Sequence, residues 1–430
     1  MKNKFLITCL IFTAIIAFSN IAHASEYRSE VSVGIKYGSN TENSVTLRSQ
    51  GELSVYDAAA GTILYQAQPD EELYIEMGAT GFASWNKFDA SGISKLSVQP
   101  PQGTTIVCDG KEYRGYIYIE KCADGTLLVI NYVGTDDYVS SVLGKEMSYT
   151  WPKEALKAQS VCARNYVLTR TGAHKNYGFD VCPTTHCQVY GGVASEHENT
   201  RAAVNETKGI LGYHDGKVAE LFFFATSGGQ TEDVKNVWGS SIDYLKSVPD
   251  TYENPEKASK YTWNVTLTKE EVEEKLANAG VDIGTLNNIT VDSKSDSGRV
   301  LKMTFHGSDG THSVQREKSR TILGLYSQRF SIYPDSILTI ATTSGEAKAP
   351  LYACSSEGTA GVAGFCVISA NGATSQLNLS PTGSAEKYVI DGGGYGHGVG
   401  MSQWGARGMA ENGFGYEEIL KHYFTGLELR

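Results

Sequence analysis

A lone glutamate beside large apolar side chains is the first candidate catalytic group. Glu146 is followed by Met147, Tyr149 and Trp151, and an apolar wall raises the pKa of a carboxyl group because it penalises the charged form. A carboxyl that stays protonated near neutral pH can act as a general acid. A glutamate at the entrance of a helix also serves as a cap or dipole partner, so this structural interpretation stays open.

The segment after Glu146 predicts a helix with a cationic face. WPKEALKAQSVCARNYVLTR has apolar residues at near-helical spacing, and Pro152 falls in the first turn, where its missing N–H is harmless. Lys157 and Arg164 are seven residues apart and share a face of this helix. They could hold a substrate or tune the carboxyl group of Glu146.

A cluster of histidine and cysteine follows in HKNYGFDVCPTTHCQVYGG. His174, Cys182, His186 and Cys187 are four possible zinc ligands within 14 residues. Because adjacent side chains seldom both reach one metal, His174, Cys182 and Cys187 are the preferred trio. A disulfide between Cys182 and Cys187 is the alternative in an oxidising compartment.

A glycine turn at the end of the apolar strand FFFAT could form the rim of a sugar cleft. Aromatic faces suit pyranose rings, and exposed backbone amides bond hydroxyl groups. The residues concerned are Ser227, Gly228, Gly229, Trp238, Tyr244 and Lys246. A serine hydrolase is disfavoured because the G-x-S-x-G elbow is absent, whereas a purely structural turn stays open.

The glycine-dense segment GGGYGHGVGMSQWGARGMA surrounds His397. So many glycines allow the backbone to approach another surface closely. It is not a nucleotide loop, because no Gly-Lys-Ser/Thr follows. His397 could orient Glu146 or a substrate, or could be a satisfied structural histidine.

Composition and charge exclude some classes of function. The 430 residues carry 37 Lys and Arg against 48 Asp and Glu, a formal net charge of -11, which leaves no diffuse basic surface for nucleic acid. The 41% hydrophobic content is typical of a packed globular protein, and the length predicts about two or three domains.

The first 24 residues predict a secretory signal peptide. Lys2 and Lys4 precede an apolar run, and Ala22-His23-Ala24 provides a cleavage pattern before Ser25. Export is expected, with membrane contact only if the signal is uncleaved.

Cysteine usage is consistent with export. Cys108 with Cys122, and Cys354 with Cys366, close short Gly-containing segments and are candidate disulfides. Seven cysteines follow the signal, so at least one thiol is left over.

The pattern of strands and helices predicts a mixed α+β fold, rich in antiparallel sheet, with one central helix. Short alternating strands give an N-terminal β-rich domain over residues 25–130. Residues 131–430 form the domain that holds the candidate site, with an insertion around 346–385. Helices are expected at KEEVEEKLANAG and YEEILKHYFTG, and strands at VAELFFFATS, NNITVD and VLKMTFHG.

Taken together, four motifs resemble the stage II sporulation protein D (SpoIID) family, which includes the LytB amidase enhancers. In chain order they are EMSYTWPKEALKAQSVCARNYV, CQVYGG, TSGGQTEDVKNVWG with YLKSVPD, and GYGHGVGMSQWGARGMA. The resemblance spans roughly residues 133–426. It implies a peptidoglycan lytic transglycosylase with Glu146 as catalyst, and its clostridial members imply zinc at His174, Cys182 and Cys187. The cleft residues it implies are Lys157, Arg164, Tyr190, Tyr244 and Lys246.

The implied reaction needs only one carboxyl group. It protonates the glycosidic oxygen between N-acetylmuramic acid and N-acetylglucosamine, then removes the C6 hydroxyl proton so that a 1,6-anhydro ring closes. A hydrolase needs a second carboxylate about 5 to 9 Å away; Glu154 is not obviously placed for this, and the sequence does not exclude Asp136, Asp137 or Glu220. The partner is then the glycan strand, in sporulation engulfment or in other cell-wall remodelling.

Two other functions stay open. A non-catalytic wall-binding protein could enhance an N-acetylmuramoyl-L-alanine amidase and would tolerate loss of Glu146. A zinc amidase would need an open metal position, whereas cysteine-rich ligation argues for a structural metal.

Overall fold

The computed structural model describes residues 28–78, 81–84, 87–335 and 385–430, and the backbone of six short strands between residues 337 and 376. The signal peptide expected at 1–24 lies outside the described residues, as do the side chains of residues 346–384 in the insertion expected at 346–385, including those of Cys354 and Cys366. Within these ranges, no helix has both the length and the apolar character needed to cross a membrane.

Two antiparallel sheets of six strands each form the N-terminal region. Their strand orders are β1-β12-β11-β8-β3-β4 and β10-β9-β2-β5-β6-β7. In β11, Ile117 and Ile119 are buried and alternate with tyrosines, as period-two patterning requires. The strands are β1 (Glu30–Lys36), β2 (Ser44–Arg48), β3 (Leu53–Asp57), β4 (Ile63–Ala67), β5 (Leu73–Met77), β6 (Gly81–Ser84), β7 (Phe88–Ser91), β8 (Lys95–Gln99), β9 (Ile106–Cys108), β10 (Lys111–Tyr113), β11 (Tyr116–Lys121) and β12 (Leu127–Gly134).

The described α-helices all follow these twelve strands. They are α1 (Thr135–Glu146), α2 (Lys153–Thr169), α3 (Glu198–Glu206), α4 (Val234–Val237), α5 (Lys269–Asn278), α6 (Lys318–Leu323), α7 (Gln403–Glu411) and α8 (Tyr416–Tyr423). Short 3-10 helices lie at Gly38–Asn40, Lys175–Tyr177 and Val193–Ser195. The helices expected at α2, α5 and α8 are confirmed, and a capping box between Thr268 and Glu271 starts α5.

The later strands form small sheets. They are β13 (Gly212–His214), β14 (Lys217–Val218), β15 (Phe223–Phe224), β16 (Thr262–Thr268), β17 (Leu286–Lys294), β18 (Val300–Gly307), β19 (Thr311–Gln315), β20 (Phe330–Pro334), β21 (Ile337–Thr342), β22 (Gly345–Pro350), β23 (Tyr352–Ser355), β24 (Gly358–Gly361), β25 (Cys366–Ile368), β26 (Thr374–Gln376), β27 (Lys387–Gly393), β28 (Met401–Ser402) and β29 (Glu428–Leu429). The expected strand VAELFFFATS forms only two short pieces, β14 and β15, whereas NNITVD and VLKMTFHG lie in β17 and β18 as expected. The mixed α+β class is confirmed.

The chain divides into two compact units. The first holds the described residues up to Phe222, with Ala410–Lys421 and Gly426–Arg430, and the second holds Phe223–Met409 and His422–Thr425. In the second unit the sheets β16-β27-β20 and β17-β18-β19 share one apolar core with α5 and α6, in which Met303 and Phe305 are fully buried.

The expected disulfide between Cys108 and Cys122 is wrong, because both are free thiols in the structure. The segment between them is not one hairpin. Cys108 ends β9, which pairs with β10 in one sheet, whereas β11, which precedes Cys122, belongs to the other sheet. Burial raises the pKa of the Cys108 thiol to about 12, as expected for an inert core cysteine.

Candidate functional site

Glu146 is the last residue of α1, whereas the sequence analysis considered it at the entrance of the following helix. Its side chain is half-buried, and the next residue, Met147, is buried and closes the helix by donating its N–H to the carbonyl of Leu143 at 3.0 Å. Gly144 allows this helix end to pack closely against the 3-10 helix at Val193–Ser195. A Cβ at this position would stand 1.7 Å from the carbonyl oxygen of Ser195.

The other carboxylates that the sequence left open as partners are used elsewhere. Asp136 and Asp137 lie in the first turn of α1, so at about 1.5 Å per helical residue they are roughly 14 to 15 Å from Glu146 along the helix. Glu154 pairs with Lys157 and accepts the N–H of Tyr416 at 2.9 Å.

Glu220 is also committed. It forms an ion pair with Arg170, so its carboxylate neutralises a cation on the last turn of α2 rather than standing alone.

Arg164 does not line a cleft, which corrects the expectation that it contacts substrate. Its side chain is fully buried and pairs with Asp136 at 2.9 Å, and it donates to the carbonyls of Ile210 and Val204 at 3.2 and 3.4 Å. It therefore links α2 to the start of α1 and to the end of α3. We assign it a positioning role.

Lys157 lies in an ion-pair network rather than on an open cationic face. Its ammonium group is 2.8 Å from Glu154 and 2.9 Å from Glu206. Hydrogen bonding to Glu154 raises its pKa, so it stays protonated throughout the physiological range. Since Arg164 is buried, the shared cationic stripe expected for these two residues does not form.

Tyr190 is likewise buried rather than placed for substrate contact, and this corrects a second expectation. Its hydroxyl donates to Asn131 on β12 at 2.7 Å, and its ring stacks on Tyr138 of α1 and Tyr113 of β10. Tyr190 thus joins the base of α1 to both N-terminal sheets.

Four metal-ligating side chains meet in the first unit. His174, Cys182, His186 and Cys187 bring one ligand atom each to within 4.8 Å of one another. Nδ1 of His186 is 3.7 Å from the sulfur of Cys182 and 3.5 Å from that of Cys187, and Nε2 of His174 is 3.4 Å from the sulfur of Cys187. His186 therefore joins the expected trio, contrary to the argument that adjacent side chains exclude one another.

The three sulfur–nitrogen separations just given are close to those of a tetrahedral zinc site. With Zn–S of about 2.3 Å and Zn–N of about 2.05 Å, a regular tetrahedron separates sulfur from nitrogen by about 3.6 Å, close to the observed separations.

Both cysteines are free, so the alternative disulfide between Cys182 and Cys187 is absent from the described structure. Burial raises the Cys182 pKa, but hydrogen bonds from Thr184, His186 and Tyr37 outweigh it and lower this pKa to about 6.

The ligand segment is anchored to the first strand of the chain. Asp180 accepts from both the N–H and the hydroxyl of Ser32 at 3.0 and 2.7 Å, and its other oxygen accepts from Arg28 at 2.8 Å. The ring of Phe179 stacks on His174. The segment with the histidine and cysteine cluster is therefore hydrogen-bonded to β1.

The turn at Ser227, Gly228 and Gly229 does not offer open amides, which corrects a third expectation. Glu253 accepts the N–H of Ser227 at 2.6 Å and that of Gly228 at 3.0 Å, and Ser227 Oγ accepts the N–H of Gly229 at 2.9 Å. Ser402 donates its hydroxyl to the same carboxylate of Glu253. The turn is a buried structural joint within the second unit.

A second carboxyl group, Asp250, lies within this joint. It is fully buried, its N–H donates to the carbonyl of Gly229 at 3.0 Å, and it accepts from the hydroxyl of Tyr423 at 3.0 Å. Burial, reinforced by the charge of Glu253, raises the pKa of Asp250 to about 7.

His397 lies in a closely packed aromatic group of the second unit. Its ring is 5.5 Å from that of Phe224 and 5.1 Å from that of Trp238, and its Nδ1 accepts the N–H of Val399 at 3.0 Å. Burial lowers the pKa of His397 to about 4, so the ring is neutral at physiological pH. Trp238 remains 40% exposed, and its indole N–H donates to Glu317 at 2.9 Å.

Lys246 and Tyr244 also belong to the second unit. The ammonium group of Lys246 lies 3.5 Å from a carboxylate oxygen of Asp233 and donates to the hydroxyl of Ser241 at 3.1 Å. Tyr244 is half-buried. Both keep enough exposure to contact a ligand.

Comparison with known proteins bears on the residues just described. Residues 123–213, which hold α1, α2 and the four metal-ligating side chains, match the family model described as stage II sporulation protein, SpoIID. The chain is 30% identical over 410 residues to the amidase enhancer of Bacillus subtilis, across 87% of this chain and 54% of that protein. It is 27% identical over 315 residues to stage II sporulation protein D of Bacillus amyloliquefaciens, across 70% and 75%. The chain therefore contains a region that matches SpoIID, and its relatives support the SpoIID/LytB family.

The family resemblance drawn from the four motifs is therefore confirmed. A protein of Brachyspira hyodysenteriae described as uncharacterized is 29% identical to this SpoIID/LytB family member over 385 residues, across 89% of each chain. Residues 246–345 match a model described as a domain of unknown function, DUF8618. The chain spans only about half the length of the amidase enhancer.

Sequence reasoning missed the buried polar joint of the second unit. Glu253 accepts hydrogen bonds from backbone amides that lie 25 and 26 residues earlier in the chain. No helix or strand periodicity in the sequence predicts a contact over this separation. Asp250, the last residue of the YLKSVPD motif, was the only hint in the sequence. His186 was visible in the sequence and was set aside on a steric argument that the loop geometry overrides.

Proposed function

We propose that this protein is an exported peptidoglycan lytic transglycosylase in which Glu146 is both acid and base. Family membership supports the substrate class. The observation that carries the chemistry is the position of Glu146 at the C-terminal end of α1, while Asp136 and Asp137 are at its far end. Negative charge is disfavoured at a helix C-terminus, which favours the protonated form that a general acid requires.

The reaction proceeds with a single carboxyl group. The protonated carboxyl of Glu146 gives its proton to the glycosidic oxygen as the bond to the anomeric carbon of N-acetylmuramic acid breaks. The resulting carboxylate then takes the proton of the C6 hydroxyl of the same sugar, and that oxygen bonds to the anomeric carbon. The carboxyl ends protonated, as it began, and no water is consumed.

A zinc ion bound by His174, Cys182, His186 and Cys187 would be structural. Four protein ligands leave no open coordination position for a substrate or water. The bound zinc would cross-link the loop after α2, which is anchored on β1. This would stiffen the unit that holds Glu146. The donor set of two thiolates and two imidazoles fits zinc.

A second function, enhancement of a cell-wall amidase without catalysis, is favoured by a different observation. Arg164, Tyr190 and the amides of Ser227 and Gly228 are all engaged in internal contacts, which leaves few of the expected cleft residues for chemistry. The amidase enhancer of Bacillus subtilis is among the relatives. In this function Glu146 would be dispensable.

The two functions are separated by the products made from purified glycan strands. Peptide-bearing and peptide-free strands are incubated with the wild type, with Glu146→Gln, and with Glu198→Gln, which removes an exposed carboxylate on α3 as a matched control. We expect 1,6-anhydro ends by mass spectrometry from the wild type and Glu198→Gln only. If no variant makes them while all bind strands and stimulate an amidase, the enhancer function replaces the catalytic one.

A further inference from the structure

Tyr149 occupies the tip of a tight turn just after Glu146. The N–H of Trp151 donates to the carbonyl of Ser148 at 3.0 Å, and the N–H of Thr150 donates to the Ser148 hydroxyl at 3.3 Å. This turn leaves Tyr149 48% exposed. Such an exposed aromatic ring at a turn is expected to be mobile unless something holds it.

His197 holds the ring of Tyr149 in place. The two rings are nearly parallel, 13° apart, with centroids 3.8 Å from each other. Asn199 donates its side-chain amide to the carbonyl of Tyr149 at 3.1 Å. The turn is therefore tied to the start of α3 through both backbone and ring.

The imidazole of His197 does more than capping requires. His197 is the N-cap of α3: its ring Nδ1 accepts the N–H of Asn199 at 3.2 Å, and its backbone N–H donates to the hydroxyl of Thr200 at 3.1 Å. Serine, threonine, asparagine or aspartate would perform this capping better. What histidine adds is a flat ring that stacks on Tyr149, while Tyr149 as a whole stays 48% exposed.

We propose that Tyr149 is a binding platform for a pyranose ring of the glycan strand, next to the bond that Glu146 cleaves. Tyr149 is three positions after Glu146, so their Cα atoms are at most about 11 Å apart. A ring already fixed by stacking loses little conformational freedom when a sugar packs on it. The proposal rests on the proposed function, because it assigns a substrate subsite to the same carboxyl group.

Binding measured without turnover tests the platform separately from the chemistry. Dissociation constants for purified peptide-free glycan strands are measured by calorimetry in the Glu146→Gln background. Adding Tyr149→Ala should weaken binding roughly 3- to 10-fold, the range given by an aromatic contact, whereas Tyr149→Phe should bind as the parent does. Tyr74→Ala, which removes another exposed tyrosine from β5, is the matched control and should change nothing.

The support of the ring is tested by His197→Asn, which keeps a capping side chain but removes the imidazole. We expect weaker strand binding with an unchanged melting temperature. If Tyr149→Ala and His197→Asn lower only the melting temperature and leave strand binding within twofold, the pair is a capping device and the platform is refuted.

Catalysis gives a separate outcome. With Glu146 intact, Tyr149→Ala should raise KM for strands and leave kcat nearly unchanged. If the wild type makes no anhydro products, the proposed transglycosylase activity is wrong. The binding measurements would still test whether Tyr149 binds the glycan strand.

Discussion

Replacing Asp250 by asparagine should make the protein more stable at neutral and alkaline pH. Asp250 is fully buried, and its pKa is raised from 3.8 to about 7 by burial and by the charge of Glu253. The folded form therefore binds this proton more tightly than the unfolded chain. The proton bound by Asp250 stabilises the folded state fully below about pH 4. This stabilisation falls as the pH rises and levels off above about pH 7.

The size of the effect follows from the two pKa values. Each tenfold change in proton affinity is worth about 1.4 kcal/mol, so a difference of about 3 in pKa corresponds to roughly 4 kcal/mol. Asparagine carries no charge and its side-chain oxygen can still accept the hydroxyl of Tyr423. Asp250→Asn should thus match the wild type near pH 4 and exceed it by up to about 4 kcal/mol near pH 8.

The assay is urea unfolding followed by tryptophan fluorescence at both pH values. Asp243→Asn removes an exposed carboxylate seven residues away and should shift the free energy of unfolding by less than about 0.5 kcal/mol. The reasoning is refuted if the difference between Asp250→Asn and the wild type does not depend on pH, because Asp250 would then titrate alike in the folded and unfolded chain.

Three further changes test the site. Gly144→Ala should lower the free energy of unfolding by about 2 kcal/mol or more in urea titrations, since its Cβ would collide with the carbonyl of Ser195; Gly415→Ala, with its nearest neighbours at 3.7 Å, should be near neutral. His186→Ala should reduce bound zinc, measured by elemental mass spectrometry after dialysis, and an unchanged zinc content would restore the three-ligand site. Arg164→Met should destabilise by about 3 to 5 kcal/mol without raising KM for strands in the folded fraction, and a selective rise in KM would return this residue to substrate binding.

Sequence pattern predicted those elements whose periodicity is strong. Helix α2 and strands β17 and β18 follow directly from apolar spacing. Helix α7 was missed because it contains Gly405 and Gly408, residues that weaken helices. A Cβ at Gly405 would stand 2.0 Å from the hydroxyl of Tyr423, so tertiary packing selects glycine there against local propensity.

The candidate site was predicted in part. The motifs led to the correct family and to a cluster of histidine and cysteine side chains that could hold a metal ion, because ligand types and loop spacing are local features. Long-range contacts are not local: nothing near Arg164 shows that Asp136 neutralises it, and nothing near Ser227 shows that Glu253 binds its amide. Polar residues of this kind are easily interpreted as substrate contacts until the fold shows their partners.

The role of Glu146 as the sole acid and base is tested most directly by following oxygen from water. Glycan strands are digested in water enriched in oxygen-18, and the new saccharide ends are analysed by mass spectrometry. The account predicts 1,6-anhydro ends with no label, because the C6 oxygen of the sugar closes the ring. Reducing ends that each carry one oxygen-18 would show attack by water, and with it a second catalytic group that contradicts the single-carboxyl mechanism.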